Sequence, residues 1–523
     1  MALLSAVLLP VLISIVILST RRGAALGMLA AVLFFTQGQQ LEVLGININV
    51  MRVVELAAFL RVVGRRELSL GHLTALDRNV VLLYSYTTVV FVVRSDQGQQ
   101  YQIGQAVDAW LCYFAFRGLI RTVDDFRWCL KGLLFVLAPF AALVLIESST
   151  GHNVFAATYD EFASSGVIGM GWSRGDSIRS VGSFRHPSLL GIVGAVFLPL
   201  YVAEWFARRR RWVCIAGAGL CAALVWASNS GAPLMCAGIG IAGWLMWPLR
   251  GRMRTMRFAL VGTLVALILV MKAPIWYLIS KAGSASGGHA FHRARLVDMA
   301  FKNLNEWWLA GMRVQDTSDW FPYVLSVTGG ADIANNYLVF GITAGLGAMF
   351  IFFALLKRAF GEIGARLAEL RMQEKSSELE RVYWGLGVML LVHTAAWLGT
   401  SYFDQTYVVW FFHLAAIAAL FDAGVATDPL RSRSAPGSAL SGGSALRLWP
   451  SRQRSGKARE TGQGVGLWAA RRRSGDATHS GGTGTRGVNR GPRRVGRGGP
   501  VGQAVAGGGP PSVGSFRARR RLP

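Results

Sequence analysis

Three short stretches hold residue types that could do chemistry. In "SIRSVGSFRHPSLLG", residues 177–191, Arg179, Arg185 and His186 stand just before Pro187 and a long apolar run. Guanidinium groups grip phosphate oxygens two at a time and do not lose their proton. Snorkelling of a long cation to a membrane surface explains one such arginine, but a pair plus a histidine less well. In "HAFHRARLVDMA", His289, His292, Arg293 and Arg295 form a second group. The two histidines are three apart, like one edge of a metal site. No third ligand follows, so no metal is assigned. A further phosphate or sugar contact, or a solvated polar loop, are the readings left for it. In "GGADIANNYLVFGITAGLGAMF", 329–350, Asp332, Asn335, Asn336 and Tyr337 precede an apolar run. A carboxylate there could take the proton of a sugar hydroxyl while the amides orient the sugar. Ordinary helix capping by Asp and Asn is the competing account, and spacing alone favours it.

These groups need a scaffold, and the composition says which kind. The 523 residues are 52% hydrophobic, with mean hydropathy +0.39, too apolar for a soluble protein. Apolar runs recur near 2–19, 23–37, 41–60, 79–93, 103–118, 132–147, 187–206, 213–228, 233–249, 258–271, 335–357, 382–399 and 408–424. They do not alternate, which excludes a β-barrel, and a series of them means an all-α polytopic membrane protein. The expected count is 12–13 transmembrane helices, the lower number if the first two runs form a tight hairpin.

Lys and Arg orient the spans. The segments 61–78, 207–211, 250–257 and 357–381 are rich in charge and fall on one side, the expected cytoplasm. Residues 148–186 and 272–334 then face outward. In the second of these loops "RARLVDMAFKNLNEWW" repeats Leu296, Met299, Ala300, Leu304, Trp307 and Trp308 at helical spacing. That predicts a short amphipathic helix, lying on the membrane surface or capping the bundle. Within the spans Arg52, Glu55, Asp108, His393 and His413 are ionisable and must face the bundle or water. Arg52 and Glu55, three apart, are expected to pair. The five cysteines form no CxxC pair and read as small buried hydrophobes.

The formal charge of +26 is unevenly spread: 425–523 carries +16, leaving +10 for residues 1–424. The membrane domain is thus 1–424. The Gly-, Arg- and Ser-rich tail 425–523 reads as a disordered basic cytoplasmic segment. It is suited to anionic lipid headgroups, and nucleic acid is not an expected partner.

Taken in order, "ESSTGHNVF" (147–155), "RSVGSFRHPSLLGIVGAVFLPL" (179–200), "SNSGAPL" (228–234), "HRARLVDMAFKNLNEWWLAG" (292–311) and "DIANNYLVFGITAGLGAMFIFF" (332–353) resemble the O-antigen ligase and polymerase superfamily. The resemblance covers roughly 25–424. It implies a GT-C-like bundle in the bacterial inner membrane. The implied activity is a metal-independent glycosyltransferase without cofactor, whose donor is an undecaprenyl-diphosphate-linked oligosaccharide. Membrane lipids and other polysaccharide assembly and export proteins would be its partners. By matching position, Arg179 would hold the diphosphate, with Arg185, His186, Arg293 and Arg295 as further contacts. Asp332 would be the base, with His289 or His292 in reserve, and Asn335, Asn336 and Tyr337 would meet the sugar. Two departures point away from a ligase: "SNSGAP" stands where ligases have Ser-Arg-Gly, and Asn335–Asn336 stands where they have His-Asn. An exopolysaccharide or O-antigen polymerase-like member is the leading expectation. The alternatives are a ligase acting on lipid A core, a transporter or flippase for a lipid-linked glycan, and a non-catalytic scaffold in a polysaccharide-export complex.

Overall fold

A computed structural model of the chain describes residues 3–36, 39–43, 46–68, 73–94, 98–158, 173–174, 177–207, 210–278, 290–320, 329–373 and 377–426. The chain divides into two units, Met1–Gly442 and Gly443–Pro523. The second lies outside the described residues, as does the predicted tail from residue 427 onward.

The first unit is mostly helical. Its helices are α1 Leu3–Leu18, α2 Arg21–Phe34, α3 Val50–Gly64, α4 Ala75–Arg94, α5 Gln99–Leu119, α6 Val123–Thr150, α7 Pro187–Glu204, α8 Arg211–Ala227, α9 Gly231–Leu245 and α10 Met253–Val270. Then come α11 Ala290–Lys302, α12 Leu304–Trp307, α13 Asn336–Met372, α14 Ser377–Ala396 and α15 Thr406–Ala426. Two short antiparallel pairs interrupt them: Gln40–Val43 with Ile46–Asn49, and Ser173–Arg174 with Ser177–Ile178. Five helical stretches are long and apolar enough to cross a membrane: α4, α6, α7, Trp247–Val270 and α13. Shorter apolar helices stand beside them, α1, α8, α9 and α15 among these.

α10 argues most directly for lipid. Not one of its residues is buried in the protein, and Leu260, Ile268, Leu269 and Val270 are exposed. Eighteen residues rise about 27 Å, close to the roughly 30 Å of a bilayer core. Such a surface is stable in hydrocarbon and would be unfavourable in water. The molecule is a helical membrane protein.

α7 is the centre of the bundle, with nearly every residue buried, and it packs on α8, α9 and α14. One end of the bundle is laced by ion pairs between connections. Arg22 meets Asp125 (2.6 Å), and Arg117 meets Asp77 (3.4 Å) and Asp422 (2.8 Å). Arg127 meets Glu204 (3.0 Å) and Glu378 (2.6 Å), and Arg371 meets Glu380 (2.6 Å). These pairs join the connections α1–α2, α3–α4, α5–α6, α7–α8 and α13–α14, so the basic connections gather at a single end.

α13 is not a continuous rod. Ala344 and Gly345 leave helical geometry, Gly345 at φ +78°. In a straight helix residues twelve apart lie about 18 Å apart, yet the rings of Phe340 and Phe352 are 4.5 Å between centroids. Tyr337 stacks on Phe353 at 5.3 Å. The segment 336–343 therefore folds back on the helix that follows it. The turn is held from outside: Arg94 Nη1 donates to the carbonyls of Ala310 (2.7 Å) and Thr343 (2.8 Å), and Leu346 N–H donates to Trp308 O (2.8 Å).

The predicted amphipathic helix is present as α11, followed by a break at Asn303 and the single turn α12. Its stripe turns inward. Leu296, Ala300 and Trp307 build a small second core with Trp320, Ile333, Leu338 and Ile342, while Trp308 stays exposed. This layer caps the folded-back segment, the second of the two arrangements its periodicity allowed.

Candidate functional site

At the end opposite the ion-pair lacing, residues from five segments surround a cavity of about 180 Å³. α3 and α5 contribute Arg52, Gln102, Gln105 and Asp108. The folded-back segment contributes Asn336 and Thr343, and the 397–407 connection contributes Trp397, Tyr402, Asp404 and Tyr407. Arg52 donates to both oxygens of Asp108, at 2.5 and 2.7 Å. The expected pairing of Arg52 with Glu55 is replaced by this longer-range one. Glu55 is fully buried and accepts from the Tyr407 hydroxyl at 2.8 Å. Burial makes an unpaired charge costly, so Arg52 takes the carboxylate that can meet it with both oxygens.

The mouth of the cavity brings two sequence-distant groups together. Arg185 Nε lies 3.0 Å from Asp404 Oδ2. Asp404 has the unusual φ of +52°, a conformation that Asp tolerates better than most residues. Its carboxyl is pushed up to about 6 by burial, against the pull of Arg185. Beside it, burial also raises the Tyr402 phenol well above its ordinary range.

The loop carrying the first motif is built by residues of the others. Glu147 accepts from the N–H groups of Val181 (3.0 Å) and Gly182 (2.8 Å), and Asn153 Nδ2 donates to Gly182 O (2.9 Å). Ser180 N–H donates to Ala227 O (3.0 Å), and the hydroxyls of Ser188 and Ser230 are 2.8 Å apart. Gln405 Nε2 reaches both Ser183 O (2.8 Å) and Phe35 O (3.2 Å). Thus 147–153, 179–188, 227–230 and 404–405 meet in one place. Within it Arg179 is buried, Arg185 is exposed, and His186 caps α7 by accepting from Ser188 N–H at 3.1 Å.

The remaining predicted residues separate. Arg293 packs against Gly399 of the connection that lines the cavity. His292 is partly buried on α11 and Arg295 is exposed there. His289 lies outside the described residues. Asp332 is exposed and is not among the residues lining the cavity. Asn335 is the N-cap of α13: its Oδ1 accepts from Tyr337 N–H (3.0 Å) and Leu338 N–H (3.1 Å). Asn336 does reach the cavity, and its Oδ1 accepts from Tyr402 N–H at 3.2 Å. The Tyr337 hydroxyl donates to Thr394 O at 2.9 Å and so braces α13 on α14.

Sequence reasoning passed over Asp404, Tyr402 and Glu147. Asp404 was legible only as a charge in the short gap "SYFDQ" between two apolar runs. A chain of hydrogen bonds leads inward from Tyr402: its hydroxyl is 2.8 Å from His393 Nδ1, and His393 Nε2 is 2.9 Å from His413 Nδ1.

No family model matches the chain, and no curated protein matches it. What fold and site define is a helical membrane protein with a polar, aromatic-walled cavity at the end away from its basic connections.

Proposed function

We propose that the chain is a GT-C-like, polymerase-like glycosyltransferase of the bacterial inner membrane, with 12–13 spans and the cavity facing outward. It joins oligosaccharide units carried on undecaprenyl diphosphate into a surface polysaccharide or exopolysaccharide. The observation that carries this reading is the meeting of Arg185 and Asp404 at the cavity mouth. A phosphate-gripping cation and a carboxylate able to take a proton stand side by side, above walls of amide, phenol and indole groups. Planar polar side chains with aromatic faces suit a sugar ring. The volume of about 180 Å³ falls below the roughly 300–1,000 Å³ of sites that engulf whole drug-sized ligands, so it fits one ring of the acceptor. The diphosphate stays at the mouth, near Arg179 and Arg185. Charge on the departing diphosphate is where such a site gains most. The positive-inside rule supports the orientation, because the laced end holds the basic connections.

The folded-back segment of α13 favours a second reading, a transporter or flippase for a lipid-linked glycan, since broken helices beside a cavity are common in carriers. One experiment separates the two. The gene is deleted and restored as wild type, Arg179→Ala, Asp404→Asn and Asp332→Asn, with membrane levels checked, and the polysaccharide and lipid-linked intermediates are profiled. The polymerase reading expects the deletion, Arg179→Ala and Asp404→Asn to lose long polymer and to accumulate single lipid-linked units on the outer face. Accumulation on the inner face would establish a flippase instead. The contrast between Asp404→Asn and Asp332→Asn decides which carboxylate acts.

A further inference from the structure

The Arg185–Asp404 contact carries a step beyond this reading, and rests on it. Arg185 is 43% exposed at its side chain, while Asp404 is 12% exposed. One partner can therefore be reached from outside and the other faces the cavity. Transfer by a single displacement inverts the anomeric centre, and during it the two cannot stay in contact. The base and the leaving group lie on opposite faces of the sugar, so a cation serving the leaving diphosphate must part from the base. We infer that the pair is a latch: the diphosphate of the donor draws Arg185 away from Asp404, and the freed carboxylate becomes the proton acceptor for the acceptor hydroxyl.

The chemistry balances. The hydroxyl oxygen attacks the anomeric carbon and its proton passes to Asp404. The anomeric C–O bond to phosphate breaks, and its electron pair leaves with the polyprenyl diphosphate, whose charge Arg185 meets. A carboxylate stripped of its guanidinium holds a proton more tightly. The base is thus weak at rest and strengthened only when a donor is present. Arg185 is the charge that pulls on the Asp404 carboxyl, and the other ionisable groups nearby have contacts of their own, Arg179 and Arg293 included. Arg52 is engaged with Asp108, Tyr407 with Glu55, and Tyr402 with His393. Tyr101 of α5 is within hydrogen-bond reach of Gln105, and the neighbouring His186 faces Ser188 N–H.

The test is infrared titration of the purified full chain in lipid, with inorganic pyrophosphate as the probe. Asp404→Asn identifies the band. The wild-type carboxyl is expected to titrate at about pH 6, and saturating pyrophosphate to raise the midpoint by about one pH unit or more. Arg185→Gln should show the raised midpoint without pyrophosphate and respond to it no further, while Arg185→Lys should keep part of the response. In parallel, kcat/KM for a lipid-linked oligosaccharide, which reports the free enzyme, should fall as pH drops through the wild-type midpoint, because protonation removes the base. That acid limb should move upward in Arg185→Gln. If turnover occurs but pyrophosphate leaves the Asp404 midpoint in place, the latch is overturned and the glycosyltransferase reading stands. If pyrophosphate moves the midpoint but no donor is turned over, the displacement stands and the reading on which its role depends falls.

Discussion

Two imidazoles sit at zero exposure in this bundle, joined to each other and to a tyrosine at the cavity wall. The pairing explains how they are tolerated, because each ring shares a proton with a neighbour rather than carrying charge. The chain is polar in one of two senses. When Tyr402 donates to His393, His393 donates to His413. When the protons run the other way, the Tyr402 hydrogen is turned away from His393. In both cases His413 Nε2 ends the chain with no partner among the described residues. His393→Leu strands the Tyr402 hydroxyl and the near nitrogen of His413 at once. At about 1–3 kcal/mol for each stranded group, the thermal midpoint of the detergent-solubilised protein should fall by several degrees. His393→Gln, which can restore one of the two bonds, should recover part of the loss. An unchanged midpoint in His393→Leu would show that water has taken over the bonds and that the chain adds nothing to stability. Spacing could not reveal this chain. His393 and His413 are twenty residues apart on separate helices, and only the antiparallel packing of α14 and α15 brings their rings together. Arg52 shows the same limit: spacing offered Glu55, and the fold supplied Asp108 from 56 residues away.

At the scale of elements, most apolar runs coincide with helices, because continuous hydrophobicity is the trace of a backbone that must be hidden from lipid. The run 41–60 is corrected, its first part forming the Gln40–Val43 and Ile46–Asn49 pair and only Val50 onward being helical. The stripe of α11 was equally legible, and so was the N-cap role of Asn335. The fold-back of α13 was not. "VFGITAGLGAMF" is apolar on both sides of the reversal, and a periodicity carries no sign of a chain doubling back. The only local signal is the glycine content, and the structure shows which glycines matter. Gly345 has φ +78°, and a Cβ there would meet the carbonyl of Leu309. Gly311, at φ +75°, lies against Ile342 O in the facing turn. Gly345→Ala combines an unfavourable left-handed backbone, about 1–2 kcal/mol, with a collision that must push the 308–311 turn aside. The variant should lose the packing that fixes Asn336 in the cavity. Proteolysis in membranes should then cut faster within 304–345, and under the proposed function polymer length should drop although no cavity residue has changed. Equal protease resistance of Gly345→Ala and wild type would mean that the turn tolerates the side chain and does not set the cavity wall.

At the scale of the whole molecule, charge and cavity occupy opposite ends. The arginines that lace α1–α2, α3–α4, α5–α6 and α13–α14 are matched by Asp77, Asp125, Glu204, Glu378 and Glu380, so they do structural work as well as marking orientation. A surplus of Lys and Arg beside short apolar segments biases insertion toward the cytoplasm. At the cavity end Arg185 is paired to Asp404 and Arg52 to Asp108. All five cysteines are buried, and a thiol packed among side chains or lipid tails cannot present a thiolate to a water-borne reagent. The native chain should therefore stay unlabelled by a membrane-impermeant maleimide in intact cells and in inverted vesicles. That silence makes orientation readable with two added thiols on exposed positions, Asp332→Cys near the cavity end and Gly251→Cys in the basic connection before α10. The first should label in intact cells and the second only in inverted vesicles. The reverse result would put the cavity in the cytoplasm. A donor presented on the outer leaflet could then never reach it, and the chemistry at Arg185 and Asp404 would have to serve a substrate from inside the cell.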